Sequence, residues 1–445
     1  MKLINLFFKD LNFNDINRIK KNLTSKLSQN FFLILIQIFF PPAMIAVYGL
    51  ENFGIWLFII SLPSVVSILN FNINSAAQVE MSILYNKYKY NELSIIFTNS
   101  VFLIIIFSIF VSLSAFFVIK LHFFNFDLLS QFDEKEKQIL FILIFSSLIL
   151  NILNGIFKSG INFKGNISSD TYFEIFFDLT GKILIITAGY FSNNLIISIL
   201  ILFLTNLLKI IFYFVFFINT QSKKLFNIKK ISFFEIKRLF KLSVPYYLES
   251  ISLFLKENYQ IIIIGVFFNA SLVGMVGTLK TMFFFLPLRI WSMLQQVLNY
   301  EITKLVASKQ IIKIKKLFNK IFKLLITFIL FFLLNIHLFG ELFYNIWTNF
   351  LYKPDYLFIF YLSLETSIII LASSLKILGK SINEFFKVSL FTISIYFFNL
   401  LILINFFKND YQILTLFILN LLMSIFILIF NFINFKLLLK KISNN

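Results

Sequence analysis

Cysteine is missing from all 445 residues. That excludes a disulfide framework, a thiolate metal site and a cysteine nucleophile. Histidine is almost missing, since only His122 and His337 occur, so most metal-centred and imidazole acid–base designs fall away too. No Asp-x-Asp metal motif appears, and neither does a small-residue cleavage site after the first apolar run. Charge is scarce at 14% and mostly of one sign, with 21 Asp and Glu against 40 Lys and Arg. No cofactor and no nucleic-acid partner is expected.

What remains is apolar. Hydrophobic residues make up 59% of the chain, 65 residues are Phe, and mean hydropathy is +0.87. A water-solvated surface could not be built from such a mixture, so the chain reads as an integral membrane protein. A spanning helix needs about 20 apolar residues. Segments of that length fall near 28–47, 53–75, 94–119, 139–157, 171–191, 195–218, 243–264, 273–299, 321–339, 356–378, 388–406 and 412–435. They are too long for barrel strands. The expected fold class is therefore all-α, with about 12 transmembrane helices.

Lys and Arg set the orientation. With the N-terminus in the cytoplasm, the inner loops collect most of the 40 basic residues, and the outer loops hold only Lys120, Lys135, Lys137, Lys353 and Lys408. Both termini are then cytoplasmic. Residues 1–27 alternate apolar positions such as Leu3, Phe7 and Leu11 with Lys2, Lys9, Arg18 and Lys20, the pattern of a basic amphipathic segment lying on anionic membrane lipids. The chain also reads as repeating once. Gly54 opens the second span and Gly274 the eighth, with Glu80 and Glu301 at matching distances beyond them. The expected organisation is a six-helix lobe over 28–218, a basic cytoplasmic linker over 219–242, a second six-helix lobe over 243–435, and a tail over 436–445. An even helix number per half makes the two halves parallel, around a central cavity.

The stretch Tyr48-Gly-Leu-Glu-Asn-Phe-Gly-Ile-Trp56, followed by Ser61-Leu62 and a span ending Leu69-Asn-Phe-Asn-Ile-Asn-Ser-Ala-Ala77, resembles the start of bacterial polysaccharide flippases. These are the O-antigen, Wzx-type members of the multidrug/oligosaccharidyl-lipid/polysaccharide exporter superfamily. The resemblance covers about residues 20–100. It departs at Asn70, Asn72 and Asn74, where the family carries an Asp-Leu-Gly-Leu-Gly-like run. It implies an inner-membrane flippase that moves an undecaprenyl-diphosphate-linked oligosaccharide (an O-antigen, capsule or exopolysaccharide repeat unit) from the cytoplasmic to the periplasmic leaflet. It also implies alternating access and a setting among other polysaccharide-assembly membrane proteins.

Charges inside spans cost roughly 2.5–3.5 kcal/mol each on insertion scales, so they need partners or a function. The hairpin from Leu242 to Asn299 holds Glu249, Lys256, Glu257, Lys280 and Arg289. Lys256, Lys280 and Arg289, with Lys182 of the fifth span, are the candidate contacts to a diphosphate headgroup, because cations give charge-assisted hydrogen bonds to phosphate oxygens. The competing assignment pairs Glu257 with Lys280 and Glu249 with Arg289 as staples. Glu174, Asp178 and Lys182 share one helix face, and Asp178–Lys182 is an i,i+4 ion pair candidate. Glu365 stands alone among acids in the tenth span. An isolated carboxyl in hydrocarbon favours its neutral form, which suits a proton carrier. Glu365, Asp178, Glu249 and Glu257 are thus the candidate coupling residues. Pro41-Pro42 is expected to break the first span, and Pro287 to kink the eighth.

Two other classes compete. An ion-coupled small-molecule exporter would use the same scaffold, but a cationic drug calls for an acidic cavity. A polymerase or ligase of the same pathway needs a large outer loop with catalytic bases, and the longest outer loop, Lys120–Gln138, is short. An enzyme is not expected.

Overall fold

A computed structural model describes residues 13–67, 72–120, 127–164, 167–220, 225–292, 294–295, 302, 311–349, 353–381, 384–407 and 413–444. Asn70, Glu301 and residues 1–12 of the basic N-terminal segment lie outside them. All regular structure among the described residues is helical. That follows from the sequence: within hydrocarbon each backbone N–H and C=O must be satisfied inside its own segment, and long apolar runs allow only helix.

The helices are α1 Phe13–Ser67, α2 Ile73–Asn86, α3 Tyr90–Lys120, α4 Glu134–Asn162, α5 Ile167–Ser192, α6 Leu195–Thr220, α7 Phe233–Glu257, α8 Tyr259–Phe267, α9 Ala270–Lys280, α10 Ile311–Trp347, α11 Tyr356–Ser381, α12 Phe386–Phe407 and α13 Leu414–Asn444. Ten are long and apolar enough to span, and the bent pair α7–α8 makes an eleventh. α1, already counted once, consists of two arms, because its 55 residues are interrupted at Gly49, where φ is +77°. Counting those arms separately gives twelve spans among the described residues. The chain is a multi-pass membrane protein. Many large side chains are more than half exposed, including Phe116, Phe117, Leu330, Phe331, Phe397 and Phe398, as a lipid solvent permits and water does not.

The break in the first helix falls at Gly49 and not at Pro41-Pro42. Both prolines lie in continuous helix, because the φ that proline fixes is itself helical. A φ of +77° is closed to most residues with a Cβ, so the turn needs glycine.

The described chain divides into two compact units. One takes the residues up to Tyr48 with Ile59–Ser250, the other Gly49–Phe58 with Ile251–Asn445. The first unit packs α2, α3 and α4 around Ile73, Ala77, Met81, Ile104 and Leu239. The second packs α10, α11 and α13 around Ile314, Phe318, Ile370, Leu378 and Phe435. Within the second unit, Gly54 and Gly274 lie in mutual close approach. A Cβ on Gly54 would strike the Ala270 carbonyl, and one on Gly274 would come within 2.5 Å of the Leu50 carbonyl oxygen.

At Pro287 the helix carries a π-helical turn, Thr281–Phe285, just before the proline rather than a break, and the helix that began as α9 runs on to Ser292. Pro287 has no N–H to offer the Phe283 carbonyl four residues earlier. The Thr366 hydroxyl of α11 donates to that carbonyl instead, at 2.9 Å. Thr366→Val removes the donor and keeps the shape. It is expected to lower unfolding free energy by about 1–3 kcal/mol, the penalty for a buried carbonyl left unpaired, measurable as a drop in thermal midpoint in detergent.

Candidate functional site

Glu365 lies at the middle of α11 and is 1% exposed. Its neighbours do not satisfy it. Ser363 and Ser367 turn their hydroxyls back to the carbonyls of Ile359 and Ser363 on their own helix, and the single Thr366 proton is shared between the carbonyls of Leu362 and Phe283. Neither carboxylate oxygen makes a hydrogen bond of ordinary geometry, and neither do the amide nitrogen and oxygen of buried Gln260 on α8, whose amide lies close enough to the carboxyl to act as a weak donor to it. Beside them, the Tyr259 hydroxyl donates to Asn420 Oδ1, and Asn399 Nδ2 donates to Tyr259 Oη at 2.8 Å and to Asn420 Oδ1 at 2.6 Å. Asn399 Oδ1 and Asn420 Nδ2 are left over. α8, α11, α12 and α13 thus bring one acid, three amides and a phenol into a buried cluster with more unpartnered acceptors than donors.

A second buried carboxylate shows how unusual this is. Asp170 on α5 receives hydrogen bonds from the Tyr213 hydroxyl and Asn162 Nδ2, each at 2.6 Å. A buried charge held that way is structural. Glu365 has no such holders, and an unpaired carboxylate in low dielectric costs several kcal/mol, so the arrangement calls for a proton or a small cation at that point.

Lys280 and Lys256 are within electrostatic reach of Glu365, yet neither makes an ion pair with it. Lys280, fully buried, donates to the backbone carbonyl of Glu257 at 2.6 Å and lies 5.0 Å from the Phe284 ring. The reason is local. α7 ends at Glu257, and α8 starts after a 45° bend. That ending leaves carbonyls unpaired at the negative end of a helix, where a cation is favourable. The expected staple between Glu257 and Lys280 therefore exists, but through the backbone and not the carboxylate. Lys256 is half-buried with its ammonium 5.8 Å from the Phe284 ring. Arg289 is half-buried, and its guanidinium makes no hydrogen bond or ion pair among the described residues. Glu249 is half-buried on α7 and has interactions of its own.

In the first unit, Asp178 pairs with Lys209 of α6 at 3.0 Å, and not with Lys182. Lys182, four residues along α5, instead sits 4.2 Å above the Phe40 ring. Between α1, α5 and α6 these residues border a cavity of about 120 Å³ lined by Leu33, Phe177, Asp178, Lys182, Thr205 and Lys209 among others. Glu174, on the same face of α5, is held by Lys158 and Gln29.

Sequence reasoning missed Gln260, Tyr259, Asn399 and Asn420. Asn399 and Asn420 are lone amides in apolar runs, while Tyr259 and Gln260 close the polar run that begins at Lys256.

No family model and no curated protein sequence matches the chain. Solved structures do. An inward-facing multidrug resistance MATE family transporter of the MOP superfamily superposes with a TM-score of 0.63 at 12% identity, over 94% of this chain and 99% of that one. The Vibrio cholerae MATE transporter VcmN in its bent form gives 0.60 at 13%, over 96% and 98%. A Pyrococcus furiosus MOP superfamily transporter, described as having a binding pocket of reverse polarity, gives 0.54 at 11%, over 95% of each. At such identities the likeness is one of architecture: this multi-pass membrane protein has the fold of the MATE and other MOP superfamily transporters.

Proposed function

We propose that the chain is a flippase for an undecaprenyl-diphosphate-linked oligosaccharide. It carries the repeat unit from the cytoplasmic to the periplasmic leaflet of a bacterial inner membrane by alternating access, with both termini cytoplasmic. The observation that carries this reading is the state of the intramembrane cations. Lys182, Lys256 and Arg289 hold no ion pair among the described residues, and the ammonium groups of Lys182 and Lys256 each lie over an aromatic ring. Unneutralised bases inside spans persist where an anionic cargo passes. A diphosphate offers the oxygens they lack, and the resemblance at Tyr48–Ala77 points to the same cargo. Coupling to a proton or sodium gradient is assigned to Glu365 with Gln260. Asp178 is less suited, being already paired with Lys209.

The solved neighbours described as multidrug transporters favour a second reading, an ion-coupled small-molecule exporter. Proteoliposomes separate the two. A fluorescent polyprenyl-diphosphate oligosaccharide is placed in one leaflet and its appearance in the other is read with an impermeant glycosidase. Flipping above protein-free vesicles supports the first reading. No flipping, together with gradient-driven movement of a cationic dye, sinks it.

Arg289 and Lys280 divide the work differently. Arg289→Ala is expected to cut flipping more than about tenfold, the loss of a charge-assisted bidentate contact, with thermal midpoint unchanged. Lys280→Met uncaps α7 and is expected to lower the midpoint first, because it leaves the Glu257 carbonyl unpaired. Equal midpoints and equal transport losses would refute this division.

A further inference from the structure

The linker that joins the two halves of the chain is bolted into the first unit. Three buried polar residues on one stretch of α3 serve its backbone. Ser94 Oγ donates to the Leu225 carbonyl at 2.9 Å, and the Asn227 N–H donates to Thr98 Oγ1 at 3.1 Å. Asn99 donates to the Lys230 carbonyl at 3.1 Å and accepts from the Ser232 N–H at 2.9 Å. Ser94, Thr98 and Asn99 are at most 3% exposed. A tether through bulk water would not need such partners, since water satisfies its backbone. These bonds dock the linker backbone against α3, a helix long and apolar enough to span a membrane.

The outward face of the strap is aromatic and basic. Phe233 is 80% exposed, Phe234 74% and Ile228 68%. Lys229, Lys237 and Lys241 are exposed and Lys230 is half-exposed. Arg238 is occupied, paired with Glu80 and Glu235, and these are the acids packed against this surface. The four lysines have no ion-pair partner among the described residues. Aromatic rings beside unpaired lysines, on a segment docked near the start of a spanning helix, form the chemistry that holds an anionic lipid: rings among the acyl chains and ammonium groups on phosphate.

We propose that residues 225–241 are a membrane-interface strap that binds anionic phospholipid headgroups of the inner leaflet, with Phe233 and Phe234 inserted among the acyl chains. The strap and the flippase reading are independent. The strap requires only that the chain spans a membrane in the assigned orientation.

The test uses the missing cysteines. Phe233→Cys in the full chain gives a single labelling site for an environment-sensitive fluorophore, reconstituted in vesicles of phosphatidylcholine with one quarter phosphatidylglycerol. Brominated acyl chains on the phosphatidylglycerol are expected to quench the label at least threefold more, per brominated lipid, than bromines on the phosphatidylcholine. In a background of Lys229→Gln, Lys230→Gln, Lys237→Gln and Lys241→Gln the ratio is expected to fall to near one, with quenching by phosphatidylcholine retained. All four positions are at the surface, and a second background, Asn99→Leu, is expected to abolish quenching by freeing the strap. A label unquenched by either lipid, or quenched only when a soluble cytoplasmic protein is added, overturns the proposal. So does an equal response to both lipids in the unsubstituted strap.

Discussion

Glu365→Gln is expected to abolish gradient-driven accumulation of substrate while leaving the protein as stable as before or more so. The carboxyl is 1% exposed and neither oxygen makes a hydrogen bond of ordinary geometry. Glutamine keeps its shape and its ability to face Gln260, but cannot take up a proton and is a poor ligand for sodium. If the carboxyl were a structural partner of Lys280 or Lys256, its loss would strand buried ammonium groups and cost about 3–5 kcal/mol. The geometry argues otherwise, since Lys280 is already held by the Glu257 carbonyl. Accumulation in proteoliposomes under an imposed gradient should fall by at least about tenfold, roughly 1.4 kcal/mol of coupling. Exchange without a gradient should persist. Wild-type accumulation by the variant across pH 6–8 would end the coupling assignment, and a large drop in thermal midpoint would make Glu365 structural.

The spans were legible because each is a long apolar run, and length alone distinguishes helix from strand there. The fold that those spans adopt is the one the opening residues from Tyr48 to Ala77 pointed to. The candidate site was legible only in part, for physical reasons. Asp178 and Lys182 are the right spacing for an ion pair, yet Asp178 reaches across to Lys209, 31 residues on. Periodicity reports which residues share a helix face and is silent on what the neighbouring helix brings. Lys280 was read against the carboxylate of Glu257 because side-chain charges are visible in sequence. A carbonyl freed by a helix break is not, and the polar run Lys256-Glu257-Asn258-Tyr259-Gln260 that holds the break at Asn258 carries no Pro or Gly to announce it. Glu365 stood out because an acid alone in a span is conspicuous. Gln260, Asn399 and Asn420 did not, since a single amide in a membrane helix more often hydrogen-bonds unremarkably than joins a site.

Gly54→Val carries the other large expected effect, and it bears on the cycle and not on the cargo. Within the second unit, the segment Gly49–Phe58 packs against α9 so closely that a Cβ on Gly54 meets backbone atoms of Ala270 and Gly274, and one on Gly274 meets the backbone of Leu50. A side chain pressed against a flexible neighbour can be relieved by a rotamer change, but a peptide carbonyl cannot rotate away, so overpacking here costs about 1–3 kcal/mol or more. The two glycines occupy corresponding places in the expected repeat, at the turns preceding the second and eighth spans. On the alternating-access cycle, we propose that those turns part and rejoin once per turnover. A valine at Gly54 therefore penalises the joined state specifically, and a penalty of that size shifts a two-state equilibrium about 5- to 150-fold. A single cysteine at Ser271, beside the contact, reports the shift through its rate of labelling by an impermeant maleimide added from outside. Labelling is expected to rise at least fivefold in Gly54→Val while flipping falls by at least the same factor. Gly274→Val should reproduce both changes from the opposite side of the contact. Unchanged labelling with lost flipping and a collapsed thermal midpoint would make the glycine pair a packing requirement of the folded unit and nothing more.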